Sequence, residues 1–182
     1  MIIGLTGTPG TGKTSIANIL RDKGFKVIDL NKLAIDRNLL VGYDKKRDSR
    51  IVDIEKIDKF FLELKNDNKV IFIEGHLSHL LKNVDYVIIL RTNPKKLRRN
   101  LKKRDWSEEK IDENVQAETL DIILCEAVDA HDPDTIIEID CSEKDVDEVT
   151  KIILKIVEDD FQNIKKYKIG SIDWSEELLD DL

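Results

Sequence analysis

Gly7-Thr8-Pro9-Gly10-Thr11-Gly12-Lys13-Thr14 constrains the fold of this chain more than any other segment. It fits G-x-x-x-x-G-K-[ST] at every fixed position. The apolar run Ile2-Ile3-Gly4-Leu5 precedes it, and Ile16, Ile19 and Leu20, which share a helical face, follow it. Strand, glycine-rich turn and helix in that order open a parallel α/β sheet, and the turn presents successive backbone N–H groups to an anion at a helix N-terminus. The pattern predicts a triphosphate site. Gly10 and Gly12 allow close backbone approach, Lys13 carries charge to the β and γ phosphates, the Thr14 hydroxyl ligates Mg²⁺ and Ser15 reaches the α phosphate.

The remaining apolar runs extend the alternation. Val70-Ile71-Phe72-Ile73, Tyr86-Val87-Ile88-Ile89-Leu90 and Ile136-Ile137-Glu138-Ile139 read as strands covered on both faces, with Lys26-Val27-Ile28 a weaker fifth. Helical faces lie between them: Ile57, Phe60, Phe61 and Leu64, then Val146, Val149, Ile153, Ile156 and Val157. With 182 residues the chain suits one domain, read as a three-layer αβα arrangement. Two stretches interrupt the alternation. Residues 31–50 carry a short helical pattern and then a polar segment from Gly42 to Asp48. Residues 104–131 predict a long helix after an N-cap at Ser107, with Ile111, Val115 and Ile122 on its apolar side. The acidic end beyond Ile172 reads as an appended tail.

Thirty Lys and Arg against 37 Asp and Glu give −7, which excludes a uniformly basic nucleic-acid coat. Aromatic residues at 5% argue against a stacking platform for single strands. No apolar run approaches the roughly 20 residues of a membrane span, and Met1-Ile2-Ile3-Gly4 does not begin a signal peptide. Cys125 and Cys141 match no metal spacing and read as core residues in a reducing cytoplasm.

Further candidates follow from the strand ends. Glu74 closes the Val70–Ile73 run, where an acid beside a phosphate loop holds Mg²⁺, and His76 is placed to orient or deprotonate a water. His79 and His131 lack such a setting. Lys95 to Arg104 holds seven cations and no acid after Pro94, a helix whose charge is mostly a solvated face. Arg104, with Arg99 or Arg91 as further candidates, would stabilise charge on transferring phosphates; RNA contact through the basic helix is the rival reading.

Together these residues resemble the adenylate-kinase-like CINAP family, the nuclear isoenzyme-six branch with archaeal members. The resemblance covers about Ile2 to Val157. It is carried by Gly42-Tyr43-Asp44 with Asp48 and Ile51-Val52-Asp53, by Glu74-Gly75-His76, by Leu90-Arg91-Thr92, and by Arg104-x-Trp106 leading to Asn114-Val115-Gln116-Ala117-Glu118. The ending Gly170-Ser171-Ile172-Asp173-Trp174 looks like the archaeal extension.

The resemblance implies a phosphate-loop kinase fold with five parallel strands in the order 2-3-1-4-5. Residues 1–157 would be the kinase domain, about 30–53 binding the monophosphate and about 98–108 forming a lid, with 158–182 an extension. It implies transfer from ATP to AMP or another nucleoside monophosphate, associated ATP hydrolysis, and small ribosomal subunit maturation through a platform ribosomal protein. Gly10, Gly12, Lys13, Thr14 and Ser15 would bind ATP, Arg104 would be the lid arginine, and Glu74 and His76 would form the acid-x-His site. Asn114 and Glu118, four apart on one helix face, would close over a nucleotide. Two positions depart from the family: Glu74 stands where Asp is common, and Ile35 follows Leu33-Ala34 where relatives often place Arg, leaving Arg37 as the nearest acceptor candidate. A nucleotide-switched assembly factor with little kinase activity, and a kinase for another small acceptor, are the alternatives.

Overall fold

The computed structural model describes residues 1–44, 49–64 and 69–178. β1 (Ile2–Gly7) lies at the centre of a parallel sheet, between β5 (Ile71–Glu74) and β6 (Tyr86–Arg91). β2 (Lys26–Asp29) and β7 (Ile136–Asp140) form the edges. The order β2-β5-β1-β6-β7 is 2-3-1-4-5 when these five strands alone are numbered.

Burial on both faces explains the apolar runs. Ile3 and Leu5 of β1 join Ile16 and Leu20 of α1 (Lys13–Asp22) and Val149, Ile153 and Ile156 of α7 (Val146–Glu158) in one core. Ile2, one residue out of phase, joins Leu30 and Ala34 of α2 (Leu30–Asp36), Ile57 and Phe61 of α3 (Ile54–Leu64), and Ala127 of α6 (Ile122–Ala130) on the other face. β2 has one neighbour and is only half-buried, which is why its run is the weakest.

Four local expectations need correction, the first being Cys125, which is exposed, whereas Cys141 is a core residue as expected. The stretch after α2 contains an antiparallel hairpin, β3 (Leu40–Asp44) with β4 (Ser49–Val52); the expected polar segment at Lys45–Asp48 lies outside the described residues. The long helix after Ser107 is two helices, α5 (Glu108–Thr119) and α6. Asp121 breaks it with a left-handed φ of 54°, and Ile122 is 42% exposed rather than buried with Ile111 and Val115. Finally, α4 spans Pro94–Leu101, capped by the Asn93 side chain, so Lys103 and Arg104 fall in the turn beyond it.

The chain after α7 packs across the sheet edge. Asp160 and Phe161 turn it through left-handed conformations, and the Phe161 ring, 5% exposed, stacks on Tyr86 with centroids 3.7 Å apart. Ile164 and Tyr167 add to the core on that side, Ile169 joins the opposite core, and Gly170 N donates to Glu138 Oε2 of the edge strand β7 at 2.7 Å. No helix among the described residues is long and apolar enough to cross a membrane.

Candidate active site at the phosphate loop

β1 ends at Gly7, still in register with Leu90, at φ +139°, where a Cβ would lie 2.5 Å from Leu90 O. At Gly12, at the start of α1, a Cβ would enter open space, so it is the φ of +99° that calls for glycine there. Lys13 is 8% exposed, and its Nζ donates to Gly7 O at 2.6 Å and Thr8 O at 3.0 Å. Desolvation lowers its pKa to about 8, opposed by the nearby Glu74 and Glu118 carboxylates.

Parallel register places Glu74 beside Leu5, at the same end of the sheet as the loop. Thr14 Oγ1 donates to Glu74 Oε1 at 3.3 Å, and desolvation raises the Glu74 pKa while Lys13 opposes it. No cluster of three or more His, Cys, Asp or Glu able to hold a metal occurs among the described residues. Mg²⁺ does not need one, since it keeps several waters and binds through one or two protein oxygens plus phosphate. The Thr14 hydroxyl and Glu74 carboxylate match that donor set. His76 is exposed and lines the cavity, its pKa lowered to about 4 first by desolvation and then by the Lys13 charge.

A cavity of about 760 Å³ joins these groups. Gly10, Gly12, Lys13, Thr14, Ser15, Glu74 and His76 line it together with Arg104, Trp106 and Asn114. The Arg104 guanidinium lies 5.1 Å from the centre of the Trp106 ring, and Lys110 Nζ lies 4.6 Å from the same ring. Trp106 packs on a small core of Leu97, Leu101, Ile111 and Val115 that joins α4 to α5. Asn100 Nδ2 donates to Gly10 O at 3.2 Å, tying the basic helix to the loop. Arg98 pairs with Asp112 at 2.5 Å and Lys102 with Glu108 at 3.4 Å, so part of the cationic run is neutralised by α5.

Other predicted residues lie elsewhere. Arg37, at the end of α2, is exposed over the Phe60 ring at 5.0 Å and does not line the cavity. Asn114 lines the cavity, but Glu118 turns inward and is 3% exposed. Arg91, 2% exposed, cannot reach a phosphate because its guanidinium is held by Glu118, Asp121 and Glu138.

His79, which has no functional setting in the sequence, is buried at 1% exposed and borders the cavity. Its Nδ1 lies 3.1 Å from Thr6 Oγ1 and its Nε2 2.9 Å from Glu126 Oε2, with its pKa lowered by desolvation against the pull of Glu126. Asn31, in the first turn of α2, lines the cavity too. For Asn31 a signal existed, a polar side chain just past a predicted strand. For His79 none did, since Glu126 lies 47 residues away.

Comparison with known proteins gives the family and the fold. Residues 3–121 match a family model described as an AAA domain. An Archaeoglobus fulgidus protein named "Putative adenylate kinase" is 44% identical, the match covering 99% of this chain and 95% of that protein. A Methanocaldococcus jannaschii protein of the same name is 40% identical over 100% of this chain and 97% of its own length. Among solved structures, shikimate kinase from Bacteroides thetaiotaomicron aligns with TM-score 0.58 at 18% identity, over 87% of this chain and 98% of that one. Thymidylate kinase from Candida albicans aligns with TM-score 0.57 at 16% identity, over 88% and 92%. The fold is therefore that of the phosphate-loop kinases, and the chain belongs to the family of the two archaeal relatives named "Putative adenylate kinase".

Proposed function

We propose that the protein transfers the γ-phosphoryl group of ATP to AMP, forming two molecules of ADP. The observation that carries this reading is the convergence of Lys13, Thr14, Glu74 and Arg104 on one cavity that also admits Asn31 and Asn114. An AMP phosphate oxygen attacks the γ phosphorus, the bond from that phosphorus to the β-bridging oxygen breaks, and the electron pair leaves with ADP. A phosphate nucleophile is already ionised near neutral pH, so transfer needs positioning and charge neutralisation rather than a base. Lys13 and the loop amides hold the donor phosphates, and Arg104 shields the charge spread over the transferred group. Mg²⁺, held by Thr14 and Glu74 when bound, neutralises charge on the phosphate oxygens. Asn31 and Asn114 take the acceptor side, in place of Arg37 and Glu118, which do not line the cavity.

ATP hydrolysis belongs to the same proposal, because neutral His76 opens onto the cavity beside Glu74 and suits the orientation of a water. On the CINAP resemblance alone, the proposal extends to small ribosomal subunit maturation through a platform ribosomal protein, tested by binding of the full chain to that protein. The decisive assay for the enzyme is ADP formed from ATP with and without AMP. AMP-dependent ADP is expected; ATP consumption indifferent to AMP would leave only a hydrolase, and a panel of other monophosphates would expose a different acceptor.

A further inference from the structure

We propose that Glu118 is a positioning residue for the phosphate loop, holding Thr8 and through it the resting place of the Lys13 ammonium. The proposal rests on the reading of the loop as the ATP site. Thr8 Oγ1 donates to Glu118 Oε2 at 2.5 Å, while the carbonyl of the same Thr8 accepts from Lys13 Nζ at 3.0 Å. The second residue of the loop is thus clamped from both sides, and both contacts are buried.

Glu118 is itself anchored. Its other oxygen accepts from Arg91 Nε at 2.9 Å and from Thr92 N at 3.1 Å; Arg91 is the last residue of β6, the strand beside β1, and Thr92 follows it. Arg91 is fixed in turn by Glu138 on β7. A loop that must place several N–H groups around phosphate gains from such support, because errors of about 0.5 Å already weaken a preorganised site. A carboxylate is the suitable anchor: it accepts from all three donors at once, and its bond to a hydroxyl is charge-assisted.

The test compares the full-length protein with Thr8→Val, Glu118→Gln and the double variant. It measures the affinity for a non-hydrolysable ATP analogue with Mg²⁺ by calorimetry, KM for ATP and AMP, and the melting temperature. Thr8→Val removes one charge-assisted bond and should weaken analogue binding about tenfold. Glu118→Gln keeps a neutral bond and should weaken it about threefold. The double variant should be no worse than Thr8→Val, and KM for AMP should stay constant throughout. Additive losses would mean that Thr8 acts by its own contact with nucleotide, and equal losses for ATP and AMP would mean general loosening; either overturns the proposal. Should Glu118→Gln fail to fold, Thr8→Val decides by itself: wild-type analogue affinity in that variant refutes the clamp. A wild-type protein that does not bind the analogue would instead refute the site reading from which the clamp follows.

Discussion

Replacing Lys13 by Met should abolish ATP binding and at the same time stabilise the fold. The Lys13 ammonium is buried against loop carbonyls, and its pKa falls from 10.5 to about 8 because desolvation outweighs the attraction of Glu74 and Glu118. At about 1.4 kcal/mol per pKa unit, keeping the charge in the folded state at neutral pH costs about 3 kcal/mol. Met removes a donor from the buried Gly7 and Thr8 carbonyls, of which Thr8 O keeps Thr11 N at 3.3 Å. With about 1 kcal/mol lost there, a net gain of about 2 kcal/mol is expected, or about 4–8 °C in melting temperature for a domain of this size. The pH dependence has a definite sign. Below about pH 8 both folded and unfolded Lys13 are protonated and the cost is carried in full. Between about 8 and 10.5 the folded protein sheds the proton while the unfolded chain keeps it, so wild-type stability rises with pH relative to the variant. Denaturant unfolding of both proteins at pH 7 and pH 10 measures this difference, and groups that titrate alike in both cancel. A Lys13→Met protein less stable than wild type at pH 7, or an advantage that does not shrink by pH 10, would refute the reasoning.

Glu74→Gln should retain the fold, since it removes a carboxylate whose pKa burial has raised, and should weaken the apparent affinity for Mg²⁺ in turnover about 10–100-fold. Titration of activity against Mg²⁺ checks this; an unchanged Mg²⁺ dependence would remove Glu74 from the metal site. Phe161→Ala should cost about 3 kcal/mol in urea unfolding, as for a fully packed core aromatic, with KM for ATP unchanged. A loss below about 0.5 kcal/mol, the range of exposed substitutions, would show that the chain after α7 is a loose appendage.

Much of the architecture is legible in the sequence because it rests on local patterns. The strand runs, the faces of α1 and α7, the Ser107 cap and the loop from Gly7 to Thr14 depend on residue type at short spacing. Errors arise where distant residues intervene. The run from Glu108 to Ala130 continues helical spacing, yet Asp121 turns it left-handed while its carboxylate is held by Arg91, 30 residues earlier. Asn114 and Glu118 share spacing but not a destination, because the Arg91 guanidinium and the Thr8 hydroxyl draw Glu118 inward. The exposed Val41, Tyr43 and Ile51 of the hairpin alternate too briefly to announce a two-stranded ribbon.

The sequence by itself determined the loop, the strand–helix alternation and the acid at the end of β5, since each is encoded within a few neighbouring residues. Tertiary structure alone decided which charges meet. It paired His79 with Glu126, took Arg91 and Glu118 away from the cavity, brought Arg104 and Trp106 to it, and carried the final segment over the sheet edge to Glu138. The physical reason is that a buried charge must find its partner wherever the fold places one, and sequence separation puts no limit on that search.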